Sequence, residues 1–585
     1  MALASCGGLP DDSPVFRGIE VGTPVAPSVR QHFADPTPGA SPEVIVRAFV
    51  VTGAAPAENY GAARKYLARN IVDTWAPRSR PVVIMQGVDD IAVQPILSTS
   101  STRVVRISGP AKAVVAVNGR LTELADQIRS VQIELVRQDG DWRVSAVPAD
   151  FGLWLDQFDF DAAYGVFTIG YVSTTSRTVL PDRRWFPITN ALPTTLARAQ
   201  LEPVPPYLSG AAESGFPLLT RLRVDAVTVT DGVANLDLTP QALGGTADDR
   251  RAAFAQAILS MTQAPSVHAV SMQVNGQSVG VSGMPDALSS LVDLGYEVAG
   301  APPAERVVLR RGTALDVVLM GDLRAGQSRA EEPFLPALDV AWRGLAVSPD
   351  FKDLAATSGD GKGLLRWRRD GAAPGGPGRS ALQPPFARDL VRPSYDASQG
   401  LWVGGATEAG EAGIWVIDTR GEVGLATPRR IPATWLAGSR ITALKVAPDG
   451  QRVALLLAPR TGPARLAVAG IERGEDGRAA SLADPLYVGG SLVSATEVSW
   501  ESGYSVAVVG RAVGMIEDHA LLVGVDGRLD GRLGKVPADA AGGRAVGSGA
   551  ARGLLLVTRS GKVYQAIAGG WRDLATAGDL VVPGG

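Results

Sequence analysis

Apolar and polar positions follow different periods in different stretches of the chain, and these periods divide it into units. Residues 41–52, SPEVIVRAFVVT, place apolar side chains on one helical face, with Ser41 as N-cap and Pro42 at the first helical position. The next stretch, NYGAARKYLARNIVDTW, indicates a second helix. Both helices precede any strand pattern, so the first unit opens with helices.

Strand patterns follow in PVVIMQG, STRVVRISG, KAVVAVNGRL and SVQIELVRQDGDWRVSAVP. Asn118-Gly119 and Asp139-Gly140 are typical of tight hairpin turns, which predicts an antiparallel meander. Helices followed by a meander resemble the small α+β units of the NTF2-like or cystatin-like kind. We therefore predict an α+β domain over residues 41–150, with Trp142 in its core.

Residues 151–186 carry no clear period of their own, and we interpret them as a connector to the next unit. Three aspartates in this stretch, Asp156, Asp159 and Asp161, lack the glycine and the distal glutamate of an EF-hand loop. A solvated surface is the better interpretation of these carboxylates.

A second α+β unit is predicted over residues 187–300. It contains a hairpin over Asp231-Gly232 and a helix, TADDRRAAFAQAILSMTQ, with a Thr246/Asp249 capping box. The order of helix, two strands, helix and strand around DGVANLDLTP resembles the GerMN domain of spore-germination and cell-envelope lipoproteins. That resemblance implies a fold and no catalytic residue.

The third unit, residues 301–585, is repetitive. Polar turns recur between strand patterns at intervals of 46, 53, 52 and about 50 residues, at Asp350, Asp396, Asp449, Glu501 and near Ala551. Short strands in repeats of 45–50 residues are the signature of β-propeller blades. Five repeats are clear, and ERVVLRRGTALDVVLMG supplies a sixth or closes the ring. The predicted fold class is therefore multidomain, with two small α+β domains followed by an all-β propeller.

Composition narrows the function classes. The formal net charge is -3, which gives no electrostatic footprint for nucleic acid. One cysteine excludes an internal disulfide framework and any cysteine-based zinc site. The chain has no phosphate-binding loop, no His-Glu-x-x-His and no Gly-x-Ser-x-Gly elbow. We therefore predict no enzyme activity, no catalytic residue, no metal site and no cofactor.

The single cysteine, Cys6, lies in LASCGG, which matches a bacterial lipobox with the cysteine at the +1 position. The stretch before it lacks the basic and apolar regions of a signal peptide, so we expect the true start to lie upstream. Residues 1–40 then form the lipobox and a flexible tether rich in Pro and Gly. On this interpretation Cys6 carries S-diacylglycerol and N-palmitoyl groups; the alternative is an incidental cysteine.

The order of lipobox, α+β unit, GerMN-like unit and propeller resembles the LpqB family of actinobacterial lipoproteins. The residues that carry the resemblance are LASCGGLP, TVLPDRRWFP, DGVANLDLT and GLAVSPDFKDLAA. The family implies a lipid anchor on the outer face of the cell membrane. It also implies a non-enzymatic accessory that binds the extracytoplasmic part of the sensor kinase MtrB in the MtrA–MtrB two-component system, and so affects cell-wall homeostasis and division.

Two other functions stay open at this stage. A cell-wall glycan or peptidoglycan binder would need exposed tryptophans, and the candidates are Trp367, Trp402, Trp415 and Trp435. A hydrolase would need carboxylates that converge from different blades in the propeller channel, which the sequence does not reveal.

Overall fold

The computed structural model describes residues 34–55, 59–300, 304–326, 335–369, 378–531, 533–540, 543–547, 554–567 and 570–584. Cys6 and the repeat position near Ala551 lie outside these residues. Within the described ranges, no helix has the length and apolar character needed to cross a membrane.

The first unit contains helices α1 (Pro42–Thr52) and α2 (Gly61–Arg64) and one sheet. Its strands are β1 (Val82–Met85), β2 (Ala92–Ser98), β3 (Thr102–Val115), β4 (Leu121–Gln138), β5 (Asp141–Ala146) and β6 (Leu153–Leu155). The sheet order is β5-β4-β3-β1-β6, with β2 also paired to β3. Ser41 accepts a hydrogen bond from the backbone of Val44, and α1 buries Ile45 and Phe49 in a core that also contains Trp142. The predicted cap and core are confirmed.

The predicted second helix is mostly absent. Asn59 and Tyr60 have positive φ angles of 54° and 63°, so the helix cannot begin before Gly61. The Arg64 side chain donates to the carbonyl of Trp75 at 2.8 Å and also to that of Val72. These side-chain hydrogen bonds hold the following turns in place of a helical ladder.

The structure corrects the interpretation of residues 151–186 as a connector. Besides β6, they form α3 (Gln157–Ala163), β7 (Tyr164–Ser173) and most of β8 (Thr178–Pro187). Strand β7 buries Ile169 and Tyr171 in the core of the second unit. Both β7 and β8 are buried along nearly their whole length, so they lack the apolar/polar alternation that marks a half-buried strand.

The second unit adds helices α4 (Leu192–Gln200) and α5 (Ala247–Met261). Its further strands are β9 (Ala212–Glu213), β10 (Thr228–Thr230), β11 (Val233–Leu238), β12 (Ala269–Val274), β13 (Gln277–Ser278), β14 (Ala287–Leu288) and β15 (Glu297–Val298). They form two sheets, β10-β11-β12-β13 with β14 on β12, and β15-β8-β7-β9. The Thr246/Asp249 capping box is present, with both reciprocal hydrogen bonds at the start of α5.

The described residues of the third unit form a propeller of six blades. They include one α-helix, α6 (Met320–Arg324). The strands of the six blades are β16 (Arg306–Arg311), β17 (Ala314–Leu319), β18 (Trp342–Val347), β19 (Asp353–Ser358), β20 (Leu364–Arg369), β21 (Gly378–Leu382), β22 (Ser394–Tyr395), β23 (Gly400–Ala406), β24 (Ala412–Asp418), β25 (Arg429–Ile431), β26 (Ser439–Val446), β27 (Arg452–Pro459), β28 (Arg465–Arg473), β29 (Ala479–Leu482), β30 (Leu486–Val488), β31 (Leu492–Ser502), β32 (Ser505–Ala512), β33 (His519–Gly524), β34 (Leu529–Asp530), β35 (Arg544–Val546), β36 (Leu555–Val557), β37 (Lys562–Ile567), β38 (Gly570–Thr576) and β39 (Asp579–Val581).

Five blades are consecutive antiparallel sheets, β18–β21, β22–β25, β26–β30, β31–β34 and β35–β38. The sixth has the order β17-β16-β39, so it joins strands from the two ends of the propeller sequence. Val308, Leu309 and Arg310 of β16 pair with β39. The segment ERVVLRRGTALDVVLMG therefore both supplies a sixth blade and closes the ring.

The polar turns that revealed the repeats have a common structure. The carboxylates of Asp350, Asp396 and Asp449 each accept a hydrogen bond from the backbone N–H two residues later, at 2.8–3.1 Å. An aspartate is favoured there because its side chain replaces a backbone partner in the turn. The spacing of these residues along the sequence thus reports the spacing of the blades.

Closure of the ring makes β39 critical for stability. Leu580 is fully buried in a core shared by β16 and β39. We expect Leu580→Ala to lower the free energy of unfolding by about 2–5 kcal/mol, because it leaves a cavity between strands that close the propeller. Leu382→Ala, on strand β21 with the side chain 61% exposed, is the control and should change it by less than about 0.5 kcal/mol. Urea unfolding of both variants checks this, and equal losses would contradict the closure.

Candidate functional site

A buried carboxylate joins the first two units. Asp182, on β8, is fully buried. It accepts hydrogen bonds from Arg184 Nε at 2.8 Å, from the Tyr207 hydroxyl at 3.0 Å and from Arg120, which lies in the β3–β4 turn of the first unit. Arg184 also donates to Glu202. We call Asp182, Arg120, Arg184 and Tyr207 the aspartate hub.

The electrostatics of the aspartate hub favour the ionised carboxylate. Burial acts to raise the pKa of Asp182, but Arg120, Arg184 and the hydrogen bonds from Arg184 and Tyr207 outweigh burial and hold that pKa below its usual value. The guanidinium of Arg120 also lies 5.0 Å from the Tyr207 ring centroid. The hub is therefore a charged cluster in which every charge has a partner.

The neighbours of Asp182 on β8 contact the propeller. The guanidinium of Arg183 lies 4.3 Å from the centroid of the Tyr504 ring. The guanidinium of Arg528 lies 5.4 Å from the centroid of the Trp185 ring. Arg528 also pairs with Asp161 of α3 at 2.9 Å. The segment TVLPDRRWFP, noted in the sequence for its resemblance, thus connects all three units.

The first unit also contacts the propeller directly. The carboxylate of Glu123 accepts hydrogen bonds from the Ser491 backbone at 3.0 Å and the Leu529 backbone at 2.9 Å. Gly527 has a φ of +92°, and a Cβ there would lie 2.0 Å from the carbonyl oxygen of Leu121. Only glycine permits this approach of the two backbones.

A second charged cluster lies in the propeller channel, where the first strands of the blades meet. Arg392, just before β22, pairs with Glu497 of β31 at 3.3 Å and with Asp579 of β39 at 3.0 Å. Arg544 of β35 also pairs with Asp579. Arg392 therefore links three blades through their innermost strands. We call Arg392, Lys445, Glu497, Arg544 and Asp579 the channel cluster.

Burial lowers the pKa values of both Lys445 and Arg544 strongly in the channel cluster. Burial, together with the positive charges of Arg392 and Arg544, lowers the pKa of Lys445 to about 7, and Glu497 offsets this only in part. Burial acts to raise the pKa of Glu497, but Arg392 and Arg544 lower it below its usual value. A glycosidic mechanism needs a carboxylic acid that stays protonated, and Glu497 does not fit that role.

The tryptophans proposed for glycan stacking are mostly unavailable. Trp367, Trp402 and Trp415 are at most 5% exposed, and Trp402 donates its indole N–H to Asp396 at 2.8 Å. Trp435 is half-buried and donates to the carbonyl of Ala483. Across the described ranges, no group of three or more His, Cys, Asp or Glu residues could hold a metal ion.

Sequence reasoning missed both charged clusters. Each brings together residues that are distant in the sequence, and only the packed blades and units make them neighbours. The one sequence signal was the run of charges in PDRRW, inside an otherwise apolar stretch. A buried strand with three consecutive charged residues indicates paired charges.

Three family models match the chain. They describe the N-terminal domain of lipoprotein LpqB (residues 35–161), a domain of sporulation and spore germination (168–280) and the LpqB β-propeller domain (321–583). The two LpqB models together match more than half of the chain. The matches follow the three structural units in order, and the second begins within β7.

Curated relatives match along most or all of the chain. The chain is 25% identical over 565 residues to lipoprotein LpqB of Thermobifida fusca, which covers 87% of this chain and 85% of the relative. It is 25% identical over 616 residues to lipoprotein LpqB of Mycobacterium bovis, which covers 100% and 96%.

Solved structures resemble single units. The first GerMN domain of GerM from Bacillus subtilis matches 21% of this chain and 97% of its own, with a TM-score of 0.17 and 16% identity. The periplasmic gluconolactonase of Pseudomonas aeruginosa matches 47% of this chain and 82% of its own, with a TM-score of 0.28 and 14% identity.

We predict that neutralising Asp182 in the aspartate hub lowers the stability of the fold strongly. Asp182→Asn leaves Arg120 and Arg184 without their shared counter-charge, and we expect it to lower the free energy of unfolding by about 3–5 kcal/mol. Asp139→Asn removes the partner of Arg69 in an exposed ion pair and should cost no more than about 1 kcal/mol. Chemical denaturation of the two variants measures the difference, and similar losses would show that the hub does not carry the interface.

The channel predicts a pH dependence. Since the pKa of Lys445 is about 7 in the folded chain and 10.5 when unperturbed, the unfolded chain binds more protons between these pH values. The contribution of Lys445 to the free energy of unfolding therefore rises from pH 7 to pH 10.5. It falls again when the pH is lowered. We expect Lys445→Met to remove this rise, and exposed Lys352→Met to keep it. Thermal unfolding across this pH range checks it, and parallel curves for wild type and Lys445→Met would refute it.

Proposed function

The chain belongs to the LpqB family of lipoproteins, and from this premise we propose that it is a non-enzymatic accessory that binds and modulates the sensor kinase MtrB. In this proposal the protein is held at the outer face of the cell membrane by lipid groups on Cys6. Its contact with the extracytoplasmic domain of MtrB then affects signalling through MtrA–MtrB, cell-wall homeostasis and division.

The observation that carries the proposal is the packing of the three units into one body, in which the aspartate hub joins the first two. Buried core residues of the second unit, such as Phe254, and of the propeller, such as Trp500, belong to one continuous apolar cluster. Such a body presents its surfaces in a fixed arrangement. A rigid surface can bias a partner only by preferring one of its states, which is the physical requirement for modulating a kinase.

The anchor supports the same function. Two or more acyl chains give stable attachment to a membrane where one chain does not. Two proteins held at one membrane meet at a raised effective concentration, so a weak contact suffices. A lipid-anchored accessory therefore needs no large interface with its partner.

The glycan-binding alternative has less support. Three of its four candidate tryptophans are buried inside blades, and a buried ring cannot stack on a sugar. The hydrolase alternative would need a protonated carboxylic acid in the channel, and Arg392 and Arg544 lower the pKa of Glu497 instead.

In-cell photo-crosslinking of the full-length protein tests the proposal. A photoreactive amino acid replaces one exposed apolar residue in each unit: Ile128 at 69%, Leu218 at 83% and Ile516 at 90% exposed. We expect adducts with MtrB from at least one position, and the reactive position identifies the unit that forms the contact. We also expect Cys6→Ser to move the protein out of the membrane fraction and to reduce adduct yield.

Two outcomes would overturn the proposal. Adducts dominated by cell-wall glycan or by an unrelated envelope protein at all three positions would refute MtrB as the partner. Unchanged membrane retention of Cys6→Ser would refute the lipid anchor.

A further inference from the structure

An arginine-lined cleft opens on the propeller between the blades β22–β25 and β26–β30. Its volume is about 570 Å³, which lies within the usual range for small-molecule sites. Four arginines line it: Arg420, Arg429, Arg473 and Arg478. We call this site the arginine cleft, and it is separate from the aspartate hub and the channel cluster.

The first carboxylate in the arginine cleft is fully engaged. One oxygen of Asp396 accepts the backbone N–H groups of Ser398 and Gly400, at 2.8 and 2.7 Å. The other accepts the indole N–H of Trp402 at 2.8 Å and Arg473 Nη2 at 3.0 Å. A carboxylate with four donors has no further acceptor capacity for a ligand.

The second carboxylate is engaged in the same way. Asp418 accepts the Nε and Nη2 of Arg420, at 2.9 and 2.8 Å, and the Nε and Nη2 of Arg478, at 3.0 and 2.7 Å. These hydrogen bonds, those from Arg420 first, hold the pKa of Asp418 well below its usual value. Asp418 therefore fixes two guanidinium groups in place at the wall of the cleft.

The groups of the arginine cleft that remain without a protein partner are guanidinium N–H donors. The Arg473 side chain is only 3% exposed, and its Nε has no hydrogen-bond partner in the described chain. Arg429 is exposed and uses one N–H on the carbonyl of Ala479. A guanidinium has five N–H donors and no acceptor, so the unused groups can only bind an acceptor.

The charged and apolar residues that line the arginine cleft indicate which class of ligand it can bind. Arg420 and Arg478 pair with Asp418, and Arg473 pairs with Asp396. Among the described residues, Arg429 has no carboxylate within ion-pair distance, so its positive charge is the one left for a ligand. Leu425, 75% exposed, and Val416 add an apolar wall. The site suits a compact ligand with one anionic group and an apolar part.

We propose that the arginine cleft binds a small molecule through a carboxylate or phosphate group, with the exposed Arg429 as the principal donor. A carboxylate and a phosphate can each accept two parallel N–H hydrogen bonds from one guanidinium group. This site is independent of the contact with a sensor kinase, so either proposal can fail without the other.

Calorimetric titration of the protein tests the proposal with three probes of similar shape: benzoate, phenyl phosphate and neutral benzyl alcohol. We expect saturable binding of at least one anionic probe and none of benzyl alcohol. Arg429→Gln should weaken the anionic probe about tenfold or more, since a charge-assisted hydrogen bond contributes that much affinity. The Arg429 substitution leaves the buried Asp396 and Asp418 pairs in place, so the fold survives.

The matched control is Arg430→Gln. Arg430 is the next residue on β25, points to the opposite face of the strand and pairs with Glu411 on the surface. The Arg430→Gln variant should bind the anionic probe as tightly as the wild type does. Benzoate alone or phenyl phosphate alone would assign the anionic group as carboxylate or phosphate. No binding of either anion, equal binding of benzyl alcohol, or equal losses in the two variants would overturn the proposal.

Discussion

The carboxylate of Asp182 is fully buried, and the arrangement of the units depends on how its charge is balanced. An ionised carboxylate is tolerated in a protein interior only when it is paired and hydrogen-bonded. Here the two guanidinium groups come from different units, Arg120 from the first and Arg184 from the second. If the first unit moved away, the buried carboxylate would lose one of its two guanidinium partners, and that loss opposes the movement.

The same principle recurs inside the propeller. Asp353 pairs with Arg368 within one blade, and Asp396 pairs with Arg473 across two blades, both at 3.0 Å. Arg392 pairs with carboxylates of two other blades in the channel. Apolar clusters pack neighbouring blades against each other, as Leu364 of one blade packs with Leu401 of the next. The ion pairs of Arg392 and Asp396 add charged contacts between blades. The ring closes because β39, from the end of the propeller sequence, pairs with β16 from its beginning.

The sequence predicted what depends on local signals. The capping box at Thr246 and the blade turns at Asp350 and Asp449 each have a pattern within a few residues, and the structure confirms them. The pairing of β16 with β39 is long-range, and the sequence left open how the ring closes. The connector over 151–186 was wrong because β7 and β8 are buried on both faces and lose the alternation of a half-buried strand. The second helix was wrong because Tyr60 takes a left-handed conformation that residue type alone does not announce. The hub, the channel and the arginine cleft were missed since each depends on long-range packing.

The three clusters differ in which charges and hydrogen-bond donors they leave without a partner. This difference distinguishes a cluster that stabilises the fold from one that can bind a ligand. In the hub every charge has a partner, so the cluster stabilises the assembly and offers nothing to a ligand. In the channel, Lys445 carries a lowered pKa amid ion pairs that link blades. In the arginine cleft both inner carboxylates are saturated, while Arg473 Nε is buried without a partner. The exposed Arg429 adds N–H donors that have no carboxylate partner among the described residues, and these donors are what the cleft offers to a ligand.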